Sequence, residues 1–221
     1  MCGRYSLIAD LRGLQTRFSF EEFQEYAPYH NIAPTSRVLT VRGSGPRQAE
    51  VMRWGLVPSW AKELSVGSRM FNARGETVAE KPAFRTALRR RRCLVLADAF
   101  YEWQKTRNGK RPIRISLASG EPFAFAGLWE TWKDPSDTVI PSCTIITTAP
   151  NDLISPIHDR MPVILPKEME ELWLDEEVQD PAVLTDLLRP YPADQMAVCE
   201  AENLGISAGR QAPQQAPLLP S

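Results

Sequence analysis

The chain has 221 residues, of which 43% are hydrophobic, so it can form one large domain or two small ones with a substantial core. Its 26 basic and 27 acidic residues leave a formal net charge of −1. This balance excludes a polycation that holds duplex nucleic acid through overall charge, and any nucleic-acid site must be a local cluster of arginines.

Strand-like segments dominate the sequence. Apolar runs rich in Val, Leu, Ile and Thr, separated by turn signals such as GSGP at 43–46 and Asn108-Gly109, are typical of strands. They predict strands at 38–42, 49–57, 93–97, 99–105, 111–117, 122–130, 142–148 and 161–165.

Three segments are predicted to be helical: 76–91, 167–174 and 180–188. In the first, Phe84 and Leu88 lie four residues apart on one face, and Pro82 suits an early turn. The arginines at 89–92 suit a solvated helix C-terminus better than a dedicated basic patch. Strands joined by short turns, with few helices, predict an α+β fold with a mainly antiparallel, barrel-like sheet in a single domain over 1–208. Residues 209–221 are rich in Pro, Gln and Ala, and we expect a disordered tail there.

The four cysteines are expected to be free thiols. Cys93 and Cys143 lie in apolar strand-like runs, no signal peptide is visible, and no stretch reaches the roughly 18 apolar residues of a membrane span. Two disulfides are the alternative. No C-x-x-C pair exists and the chain has only 2 histidines, so a metal site is not expected. We expect a cytoplasmic or nucleoid location.

Cys2 stands directly after the initiator methionine. Aminopeptidases remove Met1 before a small residue, which would leave an α-amine (pKa about 7.7–8.0) and a thiol (about 8.5) on adjacent carbons. Both would be partly nucleophilic near neutral pH. The amine can form a Schiff base with an aldehyde, and the thiol can then close a thiazolidine ring. An N-terminal-nucleophile hydrolase and an ordinary buried cysteine remain alternatives.

Two further segments combine polar side chains that could serve a site. In FNARGET at 71–77, Asn72, Arg74 and Glu76 alternate, so an extended backbone would place an amide, a guanidinium and a carboxylate on one face. In AFYEWQK at 99–105, Glu102 stands among apolar and aromatic residues, which should raise its pKa and suit it to proton transfer. A solvated strand end and an edge-strand glutamate facing water are the alternatives.

His158, in SPIHDRMPVIL, is the better of the two candidate catalytic histidines. It precedes an apolar strand, with Asp159 and Arg160 beside it, and histidine exchanges protons near pH 7. His30 is interpreted as structural. Trp54 and Trp60 could stack on unpaired bases, although Trp54 is better explained as a core residue.

Six motifs in this order resemble the SOS-response-associated peptidase family of abasic-site-processing proteins: MCGRYS, NIAPT, WGLVPSWA, NARGET, FYEW and HDRMPVIL. The resemblance runs from residue 2 to about residue 205. It implies a compact α+β fold with a barrel-like core and a positively charged groove that binds single-stranded DNA and single-strand/double-strand junctions.

The resemblance also implies a chemistry and a set of roles. Cys2 would form a thiazolidine crosslink with the ring-opened aldehyde of an abasic site. Asn72 would orient the chain start, Glu102 would transfer protons beside the α-amine, and His158 would help to open the deoxyribose. Phosphates and sugar around the lesion would be held by Arg4, Arg74, Trp103 and Arg160.

No cofactor or metal is expected, and we expect a monomer. Two other functions stay open at this stage. One is a cysteine-dependent peptidase or amidohydrolase, and the other is a non-covalent reader of single-stranded or modified DNA. A lyase reaction through the Schiff base, or removal of a propeptide, would be side activities of the first function.

Overall fold

A computed structural model describes residues 2–21, 23 and 26–201, and every element below belongs to this part of the chain. Its strands are β1 (Tyr5–Leu7), β2 (Tyr29–Ile32), β3 (Arg37–Arg42), β4 (Gln48–Trp54), β5 (Asn72–Arg74), β6 (Arg92–Ala97), β7 (Ala99–Thr106), β8 (Gly109–Leu117), β9 (Phe123–Lys133), β10 (Val139–Thr148), β11 (Met161–Pro162), β12 (Ile164–Leu165) and β13 (Met196–Glu200). Its helices are α1 (Leu11–Phe18), α2 (Arg85–Arg90), α3 (Glu170–Leu174) and α4 (Pro181–Asp186).

Five of these strands close into a barrel. β10 pairs with β4, β4 with β3, β3 with β6, β6 with β9, and β9 pairs back to β10. Only the β4–β10 pair among these five is parallel. All six residues of β6 are buried, because this strand faces the barrel interior on one side and packs under α3 on the other.

The barrel core is built around edge-to-face aromatic contacts. The Tyr5 ring lies 5.2 Å from Trp54 and 5.6 Å from Phe125, measured between ring centroids. The Trp54 indole donates a hydrogen bond to the Phe71 carbonyl at 2.8 Å, which satisfies its polar atom inside the core. Trp54 is fully buried, which confirms its assignment to the core.

A second, antiparallel sheet has the strand order β13-β8-β7-β1-β2. β1 joins β7 with Tyr5 opposite Phe100. The buried Asp98 holds β1 in this register, because its carboxylate accepts hydrogen bonds from the Ser6 hydroxyl (2.6 Å) and the Ala9 amide (3.2 Å). This pairing, with the hydrogen bond from the Tyr101 amide to the Arg4 carbonyl, places the start of the chain beside the first residues of β7.

The predicted α+β fold with a mainly antiparallel, barrel-like sheet is confirmed, and it forms a single domain. Every predicted strand is present, with shifted ends: β4 stops at Trp54, β9 continues to Lys133, and β10 begins at Val139. The segment 161–165 is split between β11 and β12. The short elements β1, α1, β2 and β13 were not predicted, and the expected tail at 209–221 lies outside the described residues.

The predicted helix at 76–91 is wrong in extent. Residues Gly75–Thr77 form a 3-10 turn, and the α-helix covers only Arg85–Arg90. Pro82 disfavours helical geometry at the residue before it, so the chain makes separate turns until α2 begins. The other two helical segments contain the shorter α3 and α4.

The arginine run was expected to be solvated, and this is wrong for Arg92. Arg89 and Arg90 are exposed, whereas Arg92 is 4% exposed. Its guanidinium donates to the carbonyls of Leu88 and Arg89 at 2.8 and 2.7 Å, and also to the carbonyl of Trp173 in α3. The buried Arg92 side chain therefore caps the C-terminal end of α2, where the helix dipole stabilises a positive charge.

All four cysteines are free thiols, as expected. Cys2, Cys93 and Cys143 are buried, and Cys199 is exposed. Within the described residues, no helix has the length and apolar character needed to cross a bilayer.

Candidate active site

The start of the chain is held by Asn72, the first residue of β5. β5 runs parallel to β10, with Asn72 opposite Ile145. In this register the Asn72 amide nitrogen Nδ2 donates to the Cys2 carbonyl oxygen at 2.7 Å. The Asn72 Oδ1 atom is buried and has no hydrogen-bond partner among the described residues, so one acceptor remains directed into this part of the site.

Cys2 is wholly buried, and its Sγ lies 3.9 Å from the Arg4 carbonyl oxygen. Burial is the main reason that the pKa of this thiol is raised well above its ordinary value, and the nearby Glu102 raises it further. Burial therefore opposes the partial ionisation of this thiol that the sequence predicts for the chain without Met1. The sulfur is held as a neutral thiol.

Glu102 lies on β7, between β8 and β1, and is 3% exposed. Burial raises the pKa of its carboxyl to about 8, the α-amino group of the chain lowers the pKa, and Asp159 raises it. The sequence-based expectation of a raised pKa is met, and the alternative of an edge-strand glutamate facing water is wrong. At neutral pH this side chain is mainly a neutral acid that can donate a proton.

His158 lies beside Glu102, with Nε2 at 3.7 Å from Glu102 Oε2. Its Nδ1 accepts a hydrogen bond from the Arg160 backbone amide at 3.1 Å, and Asp159 Oδ1 approaches the same nitrogen at 2.9 Å. Burial and the α-amino group lower the pKa of His158, while Asp159 and the Arg160 amide raise it. Nδ1 thus contacts both a donor, the Arg160 amide, and an acceptor, the Asp159 carboxylate, while Nε2 faces Glu102.

The site therefore contains an amide, a thiol, a protonated carboxyl and a neutral imidazole. Asn72 contacts Cys2 directly, Glu102 acts electrostatically on Cys2, and His158 lies next to Glu102. The structure brings together the four residues proposed from the sequence to be catalytic. Within the described residues, no group of three or more His, Cys, Asp or Glu could hold a metal ion.

The residues proposed to bind DNA differ in their surroundings. Arg4 is half-buried and donates to Asn31 Oδ1 at 3.4 Å, and Arg74 is exposed at the end of β5. Trp103 is half-buried and follows Glu102 on β7. Arg160 is already engaged by the Glu76 carboxylate and by Thr147, so it is not a solvated cation.

Several features near the site were not predicted. The Tyr5 hydroxyl is buried without a hydrogen-bond partner among the described residues, and its pKa is raised by burial, with Cys143 and Cys2 among the neighbours that raise it further. Asp98 anchors β1. The sequence signal for Asp98 was a single acid between two apolar runs, which indicates a buried carboxylate that requires hydrogen-bond donors.

Two other residues considered from the sequence lie at the surface. His30 is exposed on β2, and Trp60 is 63% exposed.

The fold and this geometry define a class of β-barrel protein in which the start of the chain is built into the site. The chain belongs to the SOS response associated peptidase (SRAP) family, whose model matches residues 1–204. This confirms the family resemblance seen in the six motifs.

Named relatives agree with this assignment. The chain is 43% identical over 219 residues to the abasic site processing protein YoqW of Bacillus subtilis, covering 97% of this chain and 98% of that protein. It is 34% identical to the abasic site processing protein HMCES of Pongo abelii, over 79% of this chain and 64% of that protein. A crystal structure of a Bacteroides thetaiotaomicron protein superimposes with a TM-score of 0.86 at 27% identity, covering 93% of this chain and 95% of that one.

Proposed function

We propose that this protein processes abasic sites in DNA by capturing them covalently. Cys2, which becomes the first residue after removal of Met1, would form a thiazolidine with the ring-opened aldehyde of the lesion in single-stranded DNA. The observation that carries the proposal is the 2.7 Å bond from Asn72 Nδ2 to the Cys2 carbonyl, which holds the chain start beside a buried acid. The names of the relatives, abasic site processing proteins, support the same substrate.

The first step joins the α-amine of Cys2 to the aldehyde carbon. The resulting carbinolamine loses its hydroxyl as water when a proton is supplied, and a protonated imine remains. Glu102 is suited to supply this proton, because burial keeps its carboxyl largely protonated near neutral pH. The amine attacks first in this scheme, since the neutral, buried thiol is a poor nucleophile.

In the second step the Cys2 sulfur adds to the imine carbon and closes the five-membered ring. The nitrogen keeps its own hydrogen and becomes a secondary amine, the thiol gives up its proton, and the overall reaction releases one water. We assign this proton to the Glu102 carboxylate left by the first step, because Glu102 lies near enough to Cys2 to raise the pKa of its thiol. The transfer restores the acid form of Glu102. Asn72 keeps amine and sulfur in the geometry for closure.

The aldehyde must first be released from the closed deoxyribose. We assign this step to His158, whose neutral imidazole can take the proton of the anomeric hydroxyl as the sugar opens and pass it to the ring oxygen. Its lowered pKa keeps the imidazole neutral near pH 7, which is the form that can accept a proton.

We propose that basic and aromatic side chains around the chain start bind the DNA that flanks the lesion. Arg4, Arg74 and Arg160 would bind phosphates, and Trp103 would contact the sugar. The exposed Trp60 offers a ring on which an unpaired base can stack. A bound single strand, or a strand at a junction with a duplex, leaves the lesion unpaired and able to enter the site. The protein would act as a monomer, without a cofactor.

A cysteine-dependent peptidase or amidohydrolase is less well supported by this geometry. Turnover of amides by cysteine requires a thiolate, whereas burial raises the pKa of the Cys2 thiol. A non-covalent DNA reader would have no use for a protonated carboxyl beside the chain start.

The proposal is tested by incubating the protein with an abasic single-stranded oligonucleotide and separating the products under denaturing conditions. We expect a stable adduct from the wild type and none from Cys2→Ala. Cys199→Ser is the matched control, because it removes an exposed thiol elsewhere and should leave the adduct unchanged. Cys2→Ser keeps the amine but cannot form the thiazolidine, so its adduct should persist only after borohydride reduction and strand cleavage should increase. Turnover of peptide substrates without any DNA adduct would instead support the hydrolase.

A further inference from the structure

An ion pair links the two segments that carry the site. Glu76 lies just after β5, two residues beyond Arg74, and Arg160 lies two residues after His158. Both terminal nitrogens of Arg160 donate to the two carboxylate oxygens of Glu76, with Nη2–Oε2 at 2.9 Å. This is the fork-to-fork arrangement that arginine forms with a carboxylate or a phosphate.

The two partners are held very differently. The Arg160 side chain is 16% exposed, and its Nη2 also donates to the Thr147 carbonyl at 2.7 Å and the Thr147 hydroxyl at 3.3 Å. The Glu76 side chain is 51% exposed. The Arg160 guanidinium is therefore still held against Thr147 of β10 when the carboxylate turns away, whereas Glu76 can rotate into solvent at little cost.

The Glu76 carboxylate is charged under ordinary conditions. Its hydrogen bonds from Arg160 lower its pKa, and the exposed Arg74 lowers it further. A carboxylate thus lies against the Arg160 guanidinium, which is proposed above to bind a DNA phosphate. Both anions carry one negative charge and present two oxygens, so they would use the same donors.

We propose that Glu76 is an internal counter-ion that competes with a DNA phosphate for Arg160 and so limits the affinity for undamaged single strands. This inference rests on the proposed role of Arg160 as a phosphate ligand. A strand without a lesion must displace Glu76 from Arg160 without the stabilising contact that an abasic sugar would make at Cys2. A strand whose abasic sugar is held at Cys2 gains that contact and can displace it.

The test measures equilibrium binding of an undamaged single-stranded oligonucleotide by fluorescence anisotropy over a range of salt concentrations. We expect Glu76→Gln to bind about three- to tenfold more tightly than the wild type, with the slope of log K against log salt steeper by about 0.7, as for one added phosphate contact. Glu80→Gln is the matched control. Glu80 lies four residues after Glu76 and is also exposed, so the variant removes the same charge from a nearby surface position. It should give a smaller gain and an unchanged slope.

A second pair of variants isolates the competition. In an Arg160→Gln background, Glu76→Gln should improve binding no more than Glu80→Gln does. Glu76→Ser repeats the measurement with a shorter side chain, and thermal melting verifies folding of each variant.

Weaker binding by Glu76→Gln would overturn the inference and show that the carboxylate positions Arg160. Equal gains for Glu76→Gln and Glu80→Gln would overturn it as well, leaving only a general charge effect. Undamaged DNA carries no aldehyde, so these outcomes do not depend on crosslinking. Failure to form an adduct with abasic DNA would count against the proposed chemistry while leaving this competition measurable.

Discussion

Glu102 Oε2 lies 3.7 Å from His158 Nε2, and burial shifts the pKa values of the two groups in opposite directions. Burial raises the pKa of the carboxyl to about 8 and lowers the pKa of the imidazole. Each group is therefore held in its neutral form near neutral pH. The pair can supply and take up protons without placing a permanent charge beside the chain start.

Replacing Glu102 with Gln should slow formation of the DNA adduct roughly 10²-fold, because the amide cannot donate a proton to the departing hydroxyl. The measurement is a single-turnover time course with excess protein. Glu121→Gln, at an exposed turn, is the matched control and should react at the wild-type rate. An unchanged rate in Glu102→Gln would remove this residue from the mechanism.

The wild-type adduct rate should fall as the pH rises through about 8, where Glu102 loses its proton. The α-amine gains nucleophilicity over a similar range, so we expect a maximum near or below this pH and a decline above it. The decline should vanish in Glu102→Gln. A rate that rises steadily to high pH in the wild type would contradict the role of the carboxyl as an acid.

Glu102 should also make the protein less stable as the pH rises. Its pKa is about 8 when folded, against 4.5 as the ordinary value, so between these limits the folded state holds a proton that the unfolded state has lost. The free energy of unfolding then decreases with increasing pH across this window. Glu102→Gln should therefore be more stable than the wild type by on the order of 2–3 kcal/mol near pH 7, with the gain shrinking towards about pH 4.5. Urea denaturation at several pH values measures this, and a pH-independent difference would contradict it.

Asn72→Asp should leave the fold intact but slow adduct formation about tenfold or more, because a carboxylate cannot donate to the Cys2 carbonyl and repels it instead. The readout is the ratio of borohydride-trapped imine to stable ring at early times. Imine should accumulate if the bond aligns sulfur and nitrogen for closure. Equal ratios in wild type and variant would show that Asn72 has no part in closure.

Asp98→Asn should lower the free energy of unfolding by about 2–3 kcal/mol, because a buried acceptor of bonds from Ser6 and Ala9 is replaced by a group with only one acceptor atom. Urea denaturation measures the loss. Asp152→Asn, at an exposed turn, is the control and should change stability by less than about 0.5 kcal/mol. A loss no larger than this control would mean that β1 is anchored by other contacts.

The sequence was informative where a local pattern and the tertiary environment agree. The alternation along 99–105 predicted β7, and the apolar neighbours of Glu102 predicted the direction of its pKa shift. Asn72, Glu102 and His158 were identified as candidates, although it is the β5–β10 pairing, the β1–β7 pairing and the loop before β11 that bring them to the chain start.

Features created by distant contacts could not be inferred locally. The burial of Arg92 depends on the Trp173 carbonyl, 81 positions away, and the neutral state of Cys2 depends on its complete burial by residues distant in the chain, Asn72 among them. The short strand β1 has too few residues for a periodic signal, and its register is set by Asp98 on the neighbouring connection.

Intact-mass spectrometry of the protein after reaction with an abasic single-stranded oligonucleotide tests the central claim most directly. The account predicts a species whose mass equals the chain without Met1 plus the oligonucleotide, less one water, formed by the wild type and Cys199→Ser but not by Cys2→Ala. A folded protein that keeps Met1, or that leaves the abasic oligonucleotide unmodified, would contradict it.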